Sequence, residues 1–175
     1  TLLSLIQAVH SVEGIERIRF MTSHPKDLSD KLIGAFRDCD KLCKYIHLPV
    51  QSGSDAVLKA MNRKYDRKRY FSLVEKLRDA VPDIAISTDI IVGFPGETEK
   101  DFEDTLDLAE RVGYDSAFTF LYSMREGTPA AKSPDQIPED IKHSRFNRLV
   151  DVINKSAASK NAGYIGSVKE VLVDG

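Results

Sequence analysis

The feature that most limits this chain is an alternation of two hydrophobic periods, one helical and one strand-like, along most of its length. Such alternation restricts it to α/β folds assembled from βα units, whose strands run parallel. Residues 1–12 place Leu2, Leu5, Ile6 and Val9 on one helical face, and the β-rich run 15–21 reads as a first strand. Residues 26–36 carry Leu28, Leu32, Ile33 and Phe36 at helical spacing, and 44–48 form a short strand ending at Pro49. Two helices follow over 54–61 and 67–80, the second presenting Tyr70, Leu73, Val74 and Leu77, before a third strand over 84–91. A helix over 99–112, stopped by Gly113, leads to a fourth strand at 116–122. After a polar, proline-bearing stretch, a long helix over 139–161 carries Ile141, Phe146, Leu149, Val150 and Ile153.

A closed eight-stranded barrel typically takes about 250 residues, so four strands imply an open, partial (βα) TIM-like barrel. Residues 168–173 alternate as a further strand cut off at a turn signal, which places a domain boundary near Tyr164 and divides the chain into 1–163 and 164–175. The first residue is Thr1 rather than Met, and both ends read as severed. A hydrophobic share of 42% suffices for one core. The 25 basic and 27 acidic side chains nearly cancel, which excludes a global field for non-specific nucleic-acid or anionic-membrane binding. Any RNA contact must be local or made by other parts. No leader and no apolar run near the roughly 20 residues needed to span a bilayer stand out, so the expected location is cytoplasmic, without a membrane partner. Cys39 and Cys43, in a C-x3-C arrangement, read as two reduced, half-buried thiols, too few to hold an iron–sulfur cluster.

In parallel α/β folds the chemistry gathers at the carboxyl ends of the strands. There the sequence places Thr22-Ser23-His24-Pro25, then His47 to Ser54, then Asp89 to Glu97, then Tyr122 to Pro129. Gly93-Phe94-Pro95-Gly96-Glu97-Thr98 is either a platform where backbone meets ligand or a tight turn capped by Thr98, with Asp101 in a capping-box position. Gln51 and Ser52 offer an amide and a hydroxyl beside Gly53, or Ser54 caps the next helix; both can hold together. Asp89, among apolar neighbours, needs donors or a cation, whether structural or in a site. Arg125 has the planar fork that pairs with a carboxylate or phosphate, or is solvated surface. His24 and His47 have no serine or cysteine placed as a nucleophile and read as satisfied core histidines. Residues 63–71 interleave basic and aromatic side chains, either as a nucleic-acid groove or as the solvated start of a helix.

Taken in order, TSHPKDLSD, IHLPVQSGSDAVLKAMNRKY, STDIIVGFPGETEKDFEDTL and FTFLYSMREGTPAA closely resemble the methylthiotransferase family of radical S-adenosylmethionine enzymes. The likeness spans nearly the whole chain and is nearest to the branch acting on transfer RNA. It implies the later βα units of a partial barrel, S-adenosylmethionine and two [4Fe-4S] clusters in the full-length protein, an electron donor, and tRNA as partner. The implied reaction inserts a methylthio group into isopentenylated adenosine next to the anticodon. One cluster would cleave S-adenosylmethionine reductively to a deoxyadenosyl radical, and the second is associated with sulfur delivery. The family's C-x3-C-x2-C loop would precede Thr1, so no cluster is expected on this stretch, which alone should be inactive.

The resemblance also implies that Gln51, Ser52, Asp89, Gly93 and Tyr122 wall the S-adenosylmethionine site, with Arg63 and Arg125 as candidates for its carboxylate or the substrate; no individual catalytic role is assigned. The tail from about Gly166 resembles the first strand of the small TRAM-like β-barrel that binds RNA in this family. Two other readings stay open: the sister activity on an aspartate of a ribosomal protein, and a cluster-free α/β barrel binding a phosphorylated ligand at residues 93–97.

Overall fold

The computed structural model describes residues 1–21 and 24–173. Thr22 and Ser23, in the loop expected after the first strand, and Asp174 and Gly175 lie outside the described residues. The elements are helices α1 (Leu2–His10) and α2 (Asp30–Asp38), strand β1 (Tyr45–His47), helices α3 (Asp55–Ala60) and α4 (Arg67–Ala80), strand β2 (Ala85–Val92), helix α5 (Glu99–Val112), strand β3 (Ser116–Leu121) and helix α6 (Glu139–Ala162). A short 3-10 turn, Ala130–Lys132, lies between β3 and α6.

The strands form one parallel sheet in the order β1-β2-β3, as βα connections dictate. Side chains alternate across it. Ile46, Ile86, Ile90 and Val92 point to a helical layer in which Tyr70, Leu73 and Leu77 of α4, Phe102, Leu108 and Ala109 of α5, and Leu149 and Ile153 of α6 are buried. The other face carries Tyr45, His47, Ser87, Asp89, Phe118 and Phe120, and there Phe118 and Phe120 are 60% and 50% exposed. Among the described residues no helix is long and apolar enough to cross a membrane.

Two expected strands are not strands. The run 15–21 makes a single isolated parallel bridge, Ile18 with Leu42, through Ile18 N–H to Lys41 O and Cys43 N–H to Ile18 O. Its β-rich composition is satisfied by that one pairing, because the chain beside it turns at Asp40-Lys41 before β1 begins. Residues 167–173 pair with no strand among the described residues, and Val168 is wholly exposed. Alternation supplies a strand's faces, but a ladder needs a neighbour. The helix expected from residue 26 starts at Asp30, because Ser29 accepts a bond from Leu32 N–H and caps it there.

Candidate functional site at the carboxyl ends of the strands

Pro49 cannot donate to a sheet ladder, so it ends β1, and the segment that follows must find other partners for its backbone. It finds them in buried side chains. Tyr70 Oη donates to Leu48 O at 2.8 Å, Thr88 Oγ1 donates to the same carbonyl at 2.9 Å and accepts from Val50 N–H, and Tyr65 Oη donates to Val50 O at 3.0 Å. Burial pushes the Tyr65 phenol up to about 12, so it remains a donor. Gln51 then rejoins β2, giving its N–H to Asp89 O and accepting from Ile91 N–H, with φ at 69°. A left-handed glutamine is held against strain by these bonds, an arrangement that concentrates at functional sites.

Beyond this bend lies a pocket of about 690 Å³ lined by Gln51, Arg63, Asp89, Tyr122 and Arg125 together with Phe94 and Phe120. Five of the seven residues singled out from the sequence therefore share one wall. Two polar atoms of these residues, Arg63 Nε and Tyr122 Oη, are buried and have no hydrogen-bond partner among the described residues. An orphaned donor in a protein interior costs about 1–3 kcal/mol. Asp89 is 27% exposed, and its carboxylate meets His47 Nε2 at 3.3 Å. Phe94 and Tyr122 pack edge to face, 5.3 Å between centroids, giving the pocket an aromatic side.

Ser52 and Gly93 sit elsewhere. Ser52 is fully buried, its Oγ 3.3 Å from Thr105 Oγ1 and accepting from Ser54 N–H. A Cβ on Gly53 would stand 2.5 Å from Asp104 O and from Thr105 Cα, so this glycine makes room for α5 rather than for a ligand. Gly93, at φ 77°, lies under the Lys142 stem, where a Cβ would collide with Lys142 Cγ, and its N–H bonds Glu97 Oε1 at 3.1 Å. The loop 93–98 is a turn held from behind. Thr98 and Asp101 form the reciprocal capping box of α5, and Glu97 is buried against Arg145 of α6 at 2.9 Å. Burial pushes the Glu97 carboxyl above its usual range, with the Gly93 N–H and Arg145 pulling against it.

Asn62, Phe94, Phe120 and Thr128 also line the pocket and were not singled out beforehand. For Phe120 a signal existed: the strand period puts it on the same face as Asp89. The basic-aromatic stretch 63–71 resolves into a helix start. Asp66 caps α4, Tyr65 and Tyr70 are core, and Arg67 bonds Gly53 O, Asp104 O and Asp107. Cys39 Sγ lies 3.1 Å from His10 Nδ1, and among the described residues no three His, Cys, Asp or Glu side chains stand together as a metal or cluster would require. The residues present do not fit an iron–sulfur cluster.

A parallel sheet with a pocket at its strand ends is the frame of a known class. The Radical SAM superfamily matches residues 2–109, and the chain belongs to that superfamily. Its fold is similar to that of coproporphyrinogen III oxidase (HemN) from Escherichia coli, described as a radical SAM enzyme, with a TM-score of 0.64 and 19% identity over 77% of this chain and 31% of that one.

In sequence it is 63% identical over all 175 residues to the tRNA-2-methylthio-N(6)-dimethylallyladenosine synthase of Clostridium botulinum strain Langeland, covering 39% of that protein. It is likewise 63% identical over 171 residues to the synthase of the same name from Clostridium perfringens strain SM101, covering 38% of it. The chain thus spans about two fifths of the length of the curated relatives it matches.

Proposed function

We propose that the pocket binds S-adenosylmethionine, and that the whole protein uses it to insert a methylthio group into isopentenylated adenosine of tRNA. The observation that carries the first part is the convergence of Gln51, Arg63, Asp89, Tyr122 and Arg125 on one pocket beside Phe94 and Phe120. The ligand's chemistry is complementary: a carboxylate to accept from Arg63, Tyr122 or Arg125, an ammonium and hydroxyls to donate to Asp89 or the Gln51 amide, and an adenine to lie on Phe94 or Phe120. S-adenosylmethionine would supply the one-electron chemistry of such enzymes, and Gln51, Arg63, Asp89, Tyr122 and Arg125 would orient it and exclude water.

The second part rests on the names and high identity of the clostridial relatives. Within this reading the sheet is part of a TIM-like barrel, residues 164–175 open a small RNA-binding domain, and the whole protein is cytoplasmic, holds two clusters and draws on an electron donor. Ser52 and Gly93 act by shaping the loops that carry the pocket. The test is to load the whole protein anaerobically with iron and sulfide, add S-adenosylmethionine, reductant and isopentenylated tRNA, and follow the nucleosides by mass spectrometry. The reading expects a methylthiolated nucleoside that depends on S-adenosylmethionine; a cluster-loaded preparation that leaves tRNA unchanged and modifies a ribosomal protein overturns it.

A further inference from the structure

Strand register sets Tyr45, His47, Ser87 and Asp89 on one face, with His47 level with Ser87 and Asp89 one step further along β2. Their side chains form a continuous line. Arg19 lies over the Tyr45 ring at 4.3 Å, Tyr45 Oη is 2.7 Å from Ser87 Oγ, Ser87 Oγ is 2.9 Å from His47 Nδ1, and His47 Nε2 is 3.3 Å from Asp89 Oδ2. Phe118 closes on the imidazole edge to face, 6.0 Å between centroids. The order Ser–His–Asp is that of a hydrolase, but Ser87 is fully buried and its oxygen is engaged on both sides, so it has no approach for a substrate.

We infer that His47 is a positioning residue, which fixes the Asp89 carboxylate on the ligand wall while Ser87 and Tyr45 fix the ring. This rests on the reading of the pocket as the S-adenosylmethionine site. The donors run in one direction. With a proton on Nε2 facing the carboxylate, Nδ1 must accept, so Ser87 donates to it and accepts in turn from Tyr45. Each donor in the line then faces one acceptor, with Ser87 Oγ serving as both donor and acceptor. Asp89 has no other side-chain partner among the described residues, so without the imidazole its partly exposed carboxylate is free to leave the pocket-facing rotamer. Gln51 meets the same strand position through its backbone, accepted by Asp89 O, so amide and carboxylate are held side by side from opposite supports.

The experiment measures S-adenosylmethionine binding by equilibrium dialysis on the cluster-loaded whole protein, for Asp89→Asn, His47→Ala, His47→Gln, His47→Asn and the double variant His47→Ala with Asp89→Asn. Loss of a partner that orients a binding group commonly costs about tenfold in affinity, and that is the weakening expected for Asp89→Asn and for His47→Ala. In the Asp89→Asn background His47→Ala should add no further loss, since its effect passes through that carboxylate. Glutamine carries an amide nitrogen where Nε2 stood and should restore binding, whereas asparagine reaches Ser87 only and should not.

Additive losses, or equal binding by the Gln and Asn variants, overturn the inference; the Gln and Asn pair decides it even where the alanine variant unfolds. If Asp89→Asn binds as the parent does, the reading of the pocket fails and takes this inference with it. If Asp89→Asn weakens binding and a folded His47→Ala does not, only the role of His47 falls.

Discussion

The two faces of the sheet are made by the same strands from alternate residues, and they have divergent chemistry. Toward the helices stand Ile46, Ile86, Ile90 and Val92, all buried. On the other side Tyr45, Ser87, His47 and Asp89 run as a polar line beside Phe118 and Phe120, and only part of that surface is covered. Parallel sheets ordinarily bury both faces under apolar side chains. A face that keeps a phenol, a serine and a histidine in hydrogen-bonding line, with a carboxylate at ion-pair distance beyond, gives up hydrophobic stabilisation for placed polar atoms. The helical side holds the buried apolar core, and the other face holds the placed polar atoms.

The largest test of that division compares two phenylalanines. Phe102 is fully buried under α6, and Phe102→Ala should lower stability by about 3–5 kcal/mol in urea unfolding of the whole protein. Phe118→Ala, on the open face, should cost less than about 1 kcal/mol. An equal cost would break the comparison and mean that the rest of the protein covers Phe118. Next comes Gly53→Ala, where the added methyl meets α5 backbone rather than a pliable side chain, with an expected loss of about 2–3 kcal/mol in the same measurement. A smaller change has the opposite sign: Gln51→Gly relieves a left-handed side chain and should stabilise by up to about 1 kcal/mol. Calorimetry should then show weaker S-adenosylmethionine binding despite the higher melting temperature, which sharpens the division within a single residue. The smallest effect belongs to Lys100→Ala, which removes an exposed pair with Asp104 and should change the unfolding free energy by less than about 0.5 kcal/mol in urea.

How much of this was readable in the sequence depends on whether a signal is local. Helices α4, α5 and α6 follow from apolar spacing, and the Thr98–Asp101 box follows from two residues three apart. The strand-end rule brings the loops of Gln51, Asp89, Tyr122 and Arg125 together, but Arg63, between α3 and α4, and the grouping of all five came from the family resemblance. Non-local facts were not readable. A glycine shows that something comes close without showing what, so Gly53 and Gly93 left ligand and structural readings open, and α5 and Lys142 are what approach them. The run 15–21 has strand composition and too little to pair with. Nothing local marks Lys142 and Arg145, yet both are buried behind the loop 93–98. His47 read as a satisfied core histidine; nothing local disclosed that its far nitrogen faces Asp89.

The contact of Arg145 with Glu97 constrains how this sequence can diverge. Removing one partner of a buried ion pair strands the other charge in the interior and is far more damaging than replacing both together. Positions 97 and 145, 48 residues apart, are therefore expected to drift as a unit: homologues that have lost the glutamate should have lost the arginine too. The covarying pair joins the turn after β2 to a helix that lies beyond residues 2–109, so inheritance of that turn in its present form carries α6 with it.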